Sequence, residues 1–223
     1  MEMKKQYTFD SFVVGKSNSL AFTAAKAIVD RPTEYNPLFI RGGTGTGKTH
    51  LLYAIKNAVC SQRGEEAVSF FTGDEMLAMF VHSLRERRYD DFQRRLNSST
   101  YLLLDDLHTL ICKTATQEKF ANLFCHAVTQ GQQIVLTSST QPAELPVLED
   151  SLRNDFSRCL IADIQPLDYE TCKEIVFCKL SQSGTRLSED EINQIVTNSN
   201  GEARYIERSI NMMAVEKSLQ DIG

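Results

Sequence analysis

The chain has 223 residues, of which 42% are hydrophobic and 24% are charged, and its net charge is −5 at pH 7. This length and composition are typical of a globular protein with a full core, either one large domain or one domain with a small appendage. The negative net charge excludes a global basic field that would attract nucleic acid or anionic lipid, so any contact with DNA has to be local.

The N-terminus and the cysteines favour a cytoplasmic protein. The first residues are polar and lead into no apolar segment of a signal peptide, and nowhere do about 18 apolar residues follow one another. The 6 cysteines are scattered, mostly inside apolar runs, with no C-x-x-C pair, which is typical of reduced core thiols. We therefore expect no membrane span, no disulfide framework and no zinc site.

Three elements precede a glycine-rich loop. Residues 7–15 form an aromatic and apolar segment that needs a groove to lie in, and a helical pattern follows over about residues 17–29. Pro32 ends this helix, and Asn36-Pro37 leads into a short apolar strand at residues 38–41. The strand places the loop that follows it at the edge of a sheet.

Residues 42–49 read G-x-x-x-x-G-K-T between a strand and a helix, a pattern typical of phosphate binding. The glycines let successive backbone N–H groups turn toward phosphate oxygens, and the helix adds the positive end of its dipole. Lys48 would reach the β- and γ-phosphates, and Thr49 would hold Mg²⁺. A glycine-rich turn before a helix would need neither side chain. The motif therefore predicts nucleotide binding, although the residues themselves do not distinguish ATP from GTP.

A second strand is predicted at residues 67–71, and Asp74 is the predicted N-cap of the helix that follows it. In residues 85–95 arginines alternate with acids. Because opposite charges lie close together, this composition favours a solvated helix surface with intrahelical ion pairs over a phosphate-binding patch.

The strand predicted at residues 101–104 is continuously apolar and ends in Asp105 and Asp106. A carboxylate at the carboxyl end of a strand beside the phosphate loop can hold the water shell of Mg²⁺, and the adjacent acid can orient or deprotonate an attacking water. Two solvated acids at the end of a strand are the alternative. Together with the phosphate loop, the pair favours nucleotide hydrolysis over binding alone.

The remaining pattern predicts the fold class and the division into domains. A fourth strand at residues 133–136 runs into the polar cluster 137–140, which either touches a γ-phosphate and its attacking water or begins a loop. Strands that alternate with helices predict a three-layer α/β/α fold with a five-stranded parallel sheet. After Pro166 the pattern is helical only, so we expect a nucleotide-binding domain at 1–165 and a small helical lid at 166–223. Asp168 and Ser188 are predicted helix N-caps.

Several segments together resemble the AAA+ ATPase domain of the bacterial chromosomal replication initiator DnaA. They are residues 9–18, 35–40, 42–52, 103–106, 116–118, 134–138, 148–150 and 163–164, and the similarity continues into the lid. The phosphate loop alone would not be specific, but these motifs jointly are. The resemblance implies a P-loop AAA+ fold, ATP or ADP with Mg²⁺ as cofactors, and assembly into a helical filament on origin DNA.

The resemblance also assigns residue roles. It places the aromatic N-terminal segment, with Val14 and Asn18, beside the adenine, and it identifies Asp105 and Asp106 as the Walker B pair. Arg204 falls where the lid arginine of the family meets the γ-phosphate. In the family single-stranded DNA is gripped at the positions that Val81 and Lys113 occupy here. The nucleotide-contacting residues of the loop and helix start are Gly43, Thr44, Gly45, Thr46, Gly47, Lys48, Thr49 and His50.

The chain departs from the family pattern where one subunit completes the site of its neighbour. Asp155 stands at the position of the arginine finger, and Ser151 at that of a second arginine. Ser139 replaces an acid, and Ala115 replaces a basic residue that contacts DNA. Because an arginine finger can contribute several orders of magnitude in rate, we expect at most a weak ATPase with slow hydrolysis.

Two functions remain open at this level. The first is an ATP-binding domain of a DnaA-like replication initiator, which assembles on single-stranded and origin DNA under the control of ATP. The second is a regulatory paralogue that modulates a full-length initiator through protein contacts. The family continues beyond the lid into a DNA-reading helix-turn-helix domain, so we expect either an excised ATPase domain or a short paralogue.

Overall fold

The computed structural model describes residues 6–112, 114–140 and 159–220. Five strands form one sheet: β1 Leu38–Gly42, β2 Val68–Thr72, β3 Tyr101–Asp105, β4 Gln133–Ser138 and β5 Leu160–Ile164. All paired strands are parallel, and their order is β2-β3-β4-β1-β5. This order places β3, β4 and β1 side by side, so their carboxyl ends meet at one edge of the sheet.

In the part of the chain that the structure describes, helices precede β1, lie between the successive strands from β1 to β4, and follow β5. The helices of the first part are α1 Ser19–Asp30, α2 Lys48–Arg63, α3 Gly73–Arg85, α4 Tyr89–Asn97 and α5 Thr114–Thr129. Two 3₁₀ segments lie at Glu65–Ala67 and Leu107–Cys112. After β5 follow α6 Tyr169–Ser183, α7 Glu189–Asn198 and α8 Ala203–Gln220.

The sheet has a hydrophobic core on each face, because successive side chains of a strand point to opposite faces. On β1, Leu38 and Ile40 pack with α1 and α2, whereas Phe39 packs with α3, α4 and α5 on the other face. The same alternation occurs along β3 and β4, which are buried throughout. The predicted α/β/α fold with a five-stranded parallel sheet is therefore confirmed.

The helices after β5 have a core of their own, which joins Leu167 to apolar side chains of α6, α7 and α8. The predicted N-caps are both present, since Asp168 accepts from the N–H of Thr171 at 2.8 Å and Ser188 accepts from that of Glu191. A boundary between residues 165 and 166 remains a prediction, which this separate core supports.

The start of α3 differs from the prediction. Thr72, and not Asp74, is the N-cap, and it forms a capping box in which Glu75 bonds back to the Thr72 N–H at 2.8 Å. Asp74 lies in the first turn of the helix, where its negative charge interacts favourably with the positive end of the helix dipole. The reason is that β2 runs directly into α3 without a loop, so the helix begins earlier than an N-cap at Asp74 would place it.

The arginine-rich segment forms an exposed surface, as its charge pattern predicts. Arg88 and Arg94 both pair with Asp91 on α4, three residues away in each direction. In the part of the chain that the structure describes, no helix is both long enough and apolar enough to cross a membrane.

Candidate functional site

The glycine-rich loop joins the end of β1 to the start of α2 and needs glycine at two positions. Gly45 and Gly47 have φ angles of +74° and +102°, a backbone conformation that other residues rarely adopt. A Cβ at Gly45 would lie 3.2 Å from the Cβ of Arg204, and one at Gly47 would lie 3.2 Å from the ring of Phe12. The loop is therefore enclosed between the lid and the N-terminal segment.

Lys48 is folded into this loop. Its side chain is only 7% exposed, and its Nζ donates hydrogen bonds to the carbonyl oxygens of Gly42 at 2.9 Å and Gly43 at 2.8 Å. Burial lowers the pKa of Lys48, while Asp106 and Asp105 oppose that shift by favouring the ammonium. A phosphate anion would compete well with neutral carbonyls for these donors, because charge-assisted hydrogen bonds are the stronger ones.

Asp105 lies between two hydroxyl groups at the end of β3. Thr49 Oγ1 donates to its Oδ2 at 2.8 Å, and Thr137 Oγ1 donates to its Oδ1 at 2.5 Å. Hydroxyl and carboxylate oxygens are the hard ligands that Mg²⁺ prefers, so Thr49 and Asp105 fit a magnesium ion. Among the described residues no cluster of three or more His, Cys, Asp or Glu could hold a metal. An ion here would therefore also need phosphate oxygens and water, as is usual for Mg²⁺.

Asp106 and Arg204 meet at a cavity of about 350 Å³ that the loop, the N-terminal segment and the lid enclose. This volume lies at the lower end of the range for small-molecule sites. Asp106 has a φ angle of +54° and lines the cavity, whereas Asp105 is buried at 5% exposure. The two acids, adjacent in sequence, thus have different environments.

The lid is bonded directly to the loop. The backbone N–H of Ala203, the first residue of α8, donates to the carbonyl oxygen of Gly45 at 2.8 Å. One turn after Arg204, Glu207 pairs with Lys179 of α6 at 2.9 Å, and all three side chains line the cavity. A change in how Arg204 contacts a ligand could therefore reach α6 as well as α8.

The N-terminal aromatic segment lies on α2, in the groove that it was expected to need. The ring of Tyr7 packs on that of His50 at 4.7 Å between centroids, and Asn57 Nδ2 donates to the Tyr7 carbonyl at 2.8 Å. His50 Nε2 lies 3.1 Å from the Thr8 carbonyl oxygen. Tyr7 and Phe12 line the cavity together with His50, so the segment forms part of its wall.

Asn18 and Val14, both expected beside the adenine, differ in their exposure. Asn18 is 2% exposed and organises the turn before α1, because its Oδ1 accepts from the Gly15 N–H at 2.9 Å and its Nδ2 donates to the Val13 carbonyl at 3.0 Å. Val13 lines the cavity, whereas the Val14 side chain is 42% exposed. The nucleotide contact expected at Val14 therefore stays a prediction.

The DNA-contact and trans-acting positions stay predictions. Val81 is half-buried and packs against the core on the α3 face of the sheet, so little of its side chain is open to a ligand. Lys113, Ser151 and Asp155 lie outside the described residues, as does the side chain of Ala115.

Sequence reasoning missed residues that the lid contributes to the cavity. Ile175, Cys178 and Lys179 of α6 line it, but in the sequence they show only ordinary helical spacing. The polar cluster predicted at residues 137–140 divides in the structure: Ser139 lines the cavity, whereas Thr137 lies within β4, fully buried and bonded to Asp105. No signal in the sequence distinguishes these two positions.

The buried imidazole of His50 predicts a specific pH dependence of stability. Burial lowers the pKa of His50 from 6.5 to about 4, and Lys179 adds to the shift, while the Thr8 carbonyl opposes it. The unfolded chain therefore binds this proton at higher pH than the folded chain, and the free energy of unfolding should fall as the pH drops from 6.5 toward 4. The loss from this group is up to about 3 kcal/mol.

Urea unfolding between pH 4.5 and 7.5 measures this effect. We expect His50→Gln to show a smaller loss of stability on acidification than the unmodified chain. His82→Gln, at an exposed histidine of α3, is the matched control and should leave the pH dependence unchanged. If the free energy of unfolding changes equally with pH in His50→Gln and in the unmodified chain, the effect does not come from His50.

Comparisons with known proteins agree with this geometry. The family model described as the bacterial DnaA ATPase domain matches residues 3–163. The chromosomal replication initiator protein DnaA of Thermomicrobium roseum is 37% identical over 210 residues, which are 94% of this chain and 45% of that protein. The chain thus spans less than half the length of this curated relative.

Solved structures extend the similarity to the lid. The crystal structure of domain III of the Thermotoga maritima replication initiation protein DnaA has a TM-score of 0.90 at 35% identity, over 96% of this chain and 90% of that one. A replication initiator DnaA bound to AMPPCP and single-stranded DNA has a TM-score of 0.85 at 30% identity, over 97% of this chain and 69% of that one.

Proposed function

The chain belongs to the family of bacterial DnaA ATPase domains, and from this we propose that it binds ATP with Mg²⁺ and serves in a DnaA-like replication initiator. One observation carries the proposal: Lys48, Asp106 and Arg204 come from three distant parts of the chain and line one cavity beside the Thr49–Asp105 pair. A relative of similar fold binds the ATP analogue AMPPCP, which supports ATP as the nucleotide.

The residues of the site would divide the work between binding and sensing. The backbone N–H groups of residues 43–48 and the Lys48 ammonium bind the phosphates, while Tyr7, Phe12 and Val13 contact the base. Thr49 and Asp105 would hold Mg²⁺, which would supply positive charge to neutralise the phosphates. Arg204 would meet the γ-phosphate, which ADP lacks.

Arg204 couples the nucleotide state to the lid. It follows Ala203, whose N–H is bonded to Gly45 of the phosphate loop, and it precedes Glu207, which is paired with Lys179. A ligand can shift an equilibrium between lid positions only by its differential contacts with them, and the γ-phosphate provides such a difference at Arg204. We therefore propose that ATP rather than ADP favours the arrangement that assembles.

Hydrolysis in this chain is proposed to be slow. Asp106 lines the cavity and can orient a water, but Ser139 replaces the acid that the family places nearby. Asp155 replaces the arginine finger, so a neighbouring subunit would bring repulsion rather than attraction to the triphosphate. The site is better suited to a long-lived ATP state than to rapid turnover.

Single-stranded and origin DNA, and further DnaA subunits, are the proposed partners. The relative bound to AMPPCP also holds single-stranded DNA, and the curated relatives are named as chromosomal replication initiators. For this reason we propose the initiator rather than the regulatory paralogue. We also propose a cytoplasmic location, two domains at 1–165 and 166–223, and DNA contact near Lys113.

The test compares DNA binding in the two nucleotide states. We expect single-stranded DNA to bind at least about tenfold more tightly with ATP than with ADP, with an affinity that falls as salt rises. Lys113→Ala should lower the affinity by about tenfold, as expected for the loss of one charged contact. Fluorescence anisotropy of a labelled oligonucleotide, with sedimentation of the same samples, measures binding and assembly.

Lys26→Ala, at an exposed lysine of α1, is the charge-matched control and should leave DNA affinity within about twofold. If the chain with ATP remains monomeric and shows no salt-dependent affinity for single-stranded DNA, the proposed assembly on DNA is wrong for this chain.

A further inference from the structure

Thr137 is the second-last residue of the central one of the three strands that form the site. It lies on β4, between β3 with the two acids and β1 with the phosphate loop, and its backbone is paired with Ile40 of β1. The residue is 0% exposed. A buried hydroxyl is costly unless it is hydrogen-bonded, so its partners show why a polar side chain is tolerated there.

The hydrogen-bond roles of this hydroxyl follow from its chemistry. The backbone N–H of Asp106 can only donate, and it lies 3.0 Å from Thr137 Oγ1. Thr137 therefore accepts that bond and gives its single hydrogen to Asp105 Oδ1, 2.5 Å away. One hydroxyl group thus contacts both acids, the first through its carboxylate and the second through its backbone.

The contact with Asp105 fixes the orientation of its carboxylate. Thr137 occupies Oδ1, and Thr49 donates to Oδ2 at 2.8 Å. A hydroxyl that gives its hydrogen to a carboxylate keeps its lone pairs for a cation. The position of Asp105 Oδ2 therefore determines where the lone pairs of Thr49 Oγ1 point. Thr137 determines that position from the opposite side of the carboxylate.

The contact with Asp106 holds an unusual backbone. With a φ angle of +54°, Asp106 has a conformation that persists only when its surroundings hold it. Its N–H is bonded to Thr137, and its carbonyl accepts from the N–H and the hydroxyl of Thr109 at 3.0 Å and 3.1 Å. In this conformation Asp106 lines the nucleotide cavity while Asp105 remains buried.

We propose that Thr137 is the positioning residue of the Mg²⁺-nucleotide site: its one hydroxyl fixes the Asp105 carboxylate and the Asp106 backbone together, and so sets the Mg²⁺ affinity of the ATP complex. The inference rests on the proposed ATP binding. Thr137 acts through the two acids and does not itself line the cavity.

The test measures ATP binding as a function of Mg²⁺ concentration, with a fluorescent ATP analogue and no need for turnover. Thr137→Val keeps the shape of the side chain and removes both hydrogen bonds. We expect it to raise the Mg²⁺ concentration for half-maximal binding by about tenfold, as removal of a group that orients a metal ligand does. Thr137→Ser keeps the hydroxyl and should stay within about twofold. Binding in EDTA should be equal in all three proteins.

Further variants separate this inference from a loss of folding. If Thr137→Val does not fold by circular dichroism, Thr137→Cys has a weak S–H donor of similar size and should give an intermediate shift. Adding Thr137→Val to Asp105→Asn should raise the Mg²⁺ requirement by clearly less than about tenfold, because the carboxylate that Thr137 orients is already absent and only the bond from the Asp106 N–H remains to be lost. If folded Thr137→Val or Thr137→Cys has the same Mg²⁺ requirement as the unmodified chain, the inference is wrong. It is also wrong if Thr137→Val raises the Mg²⁺ requirement as much in the Asp105→Asn variant as it does in the unmodified chain. If the unmodified chain does not bind the analogue with Mg²⁺, the proposed ATP binding itself fails.

Discussion

Lys48→Ala is expected to lower the affinity for ATP at least about hundredfold. The Lys48 ammonium is buried in the phosphate loop, where it donates to two backbone carbonyls. Hydrogen bonds to charged groups contribute about 1.5–3 kcal/mol each, so exchange of these carbonyls for two phosphate oxygens accounts for about 3 kcal/mol, or a factor of about one hundred. Isothermal titration calorimetry with ATP and ADP measures the loss.

We expect the loss of ATP affinity to come from the missing charge of Lys48 and not from the smaller volume of the side chain. Lys48→Met keeps the length and much of the apolar stem, so we expect it to lose about as much affinity as Lys48→Ala. Lys56→Ala removes a lysine two turns further along α2, where the ammonium lies 5.9 Å from the centre of the Phe70 ring, and should bind ATP normally. An affinity within tenfold of the unmodified chain for either Lys48 variant would contradict the assigned role.

Asp106→Asn is expected to reduce ATP hydrolysis at least about hundredfold without weakening ATP binding. General acid–base groups contribute about a hundredfold to ten-thousandfold to rate, and an amide cannot accept the proton of an attacking water as a carboxylate can. Removing a negative charge beside the triphosphate also relieves repulsion, so ATP affinity should be unchanged or higher. Single-turnover hydrolysis of radiolabelled ATP measures the rate even when it is slow.

The substitution suits the backbone at this position. Asparagine, like aspartate, tolerates the positive φ angle that Asp106 adopts, so the loop around it should keep its structure. Asp74→Asn, at an exposed acid in the first turn of α3, is the matched control and should leave the rate unchanged. A rate for Asp106→Asn within threefold of the unmodified chain would show that another group activates the water.

The resemblance of the sequence to the DnaA ATPase domain is confirmed by the family match and by the solved relatives. The motifs that carry it are local. The phosphate-binding motif is one continuous segment, in which a strand, a glycine-rich loop and the helix that begins with Lys48 follow one another. Its residues are therefore neighbours in the structure as well as in the sequence. Asp105 and Asp106 were likewise recognisable because they end a continuously apolar strand.

The sequence did not reveal how the two acids differ. Asp105 is buried between two hydroxyls and Asp106 lines the cavity, but this difference depends on Thr137, which is 32 residues from Asp105. In the same way, Ser139 lines the cavity and Thr137 does not, although the sequence offered both as equal candidates. Contacts between neighbouring strands decide which of these polar side chains are buried and which line the cavity. The sequence pattern of one strand does not indicate which strand lies beside it.

By itself, the sequence determined the class of fold and the presence of a phosphate-binding loop, because apolar periodicity and glycine spacing act within one segment of the chain. Only the tertiary structure decided what encloses the cavity. The lid reaches the loop through the bond from Ala203 to Gly45, and the N-terminus reaches α2 through the contact of Tyr7 with His50. These contacts join residues far apart in the chain, so no periodicity within a single segment indicates them.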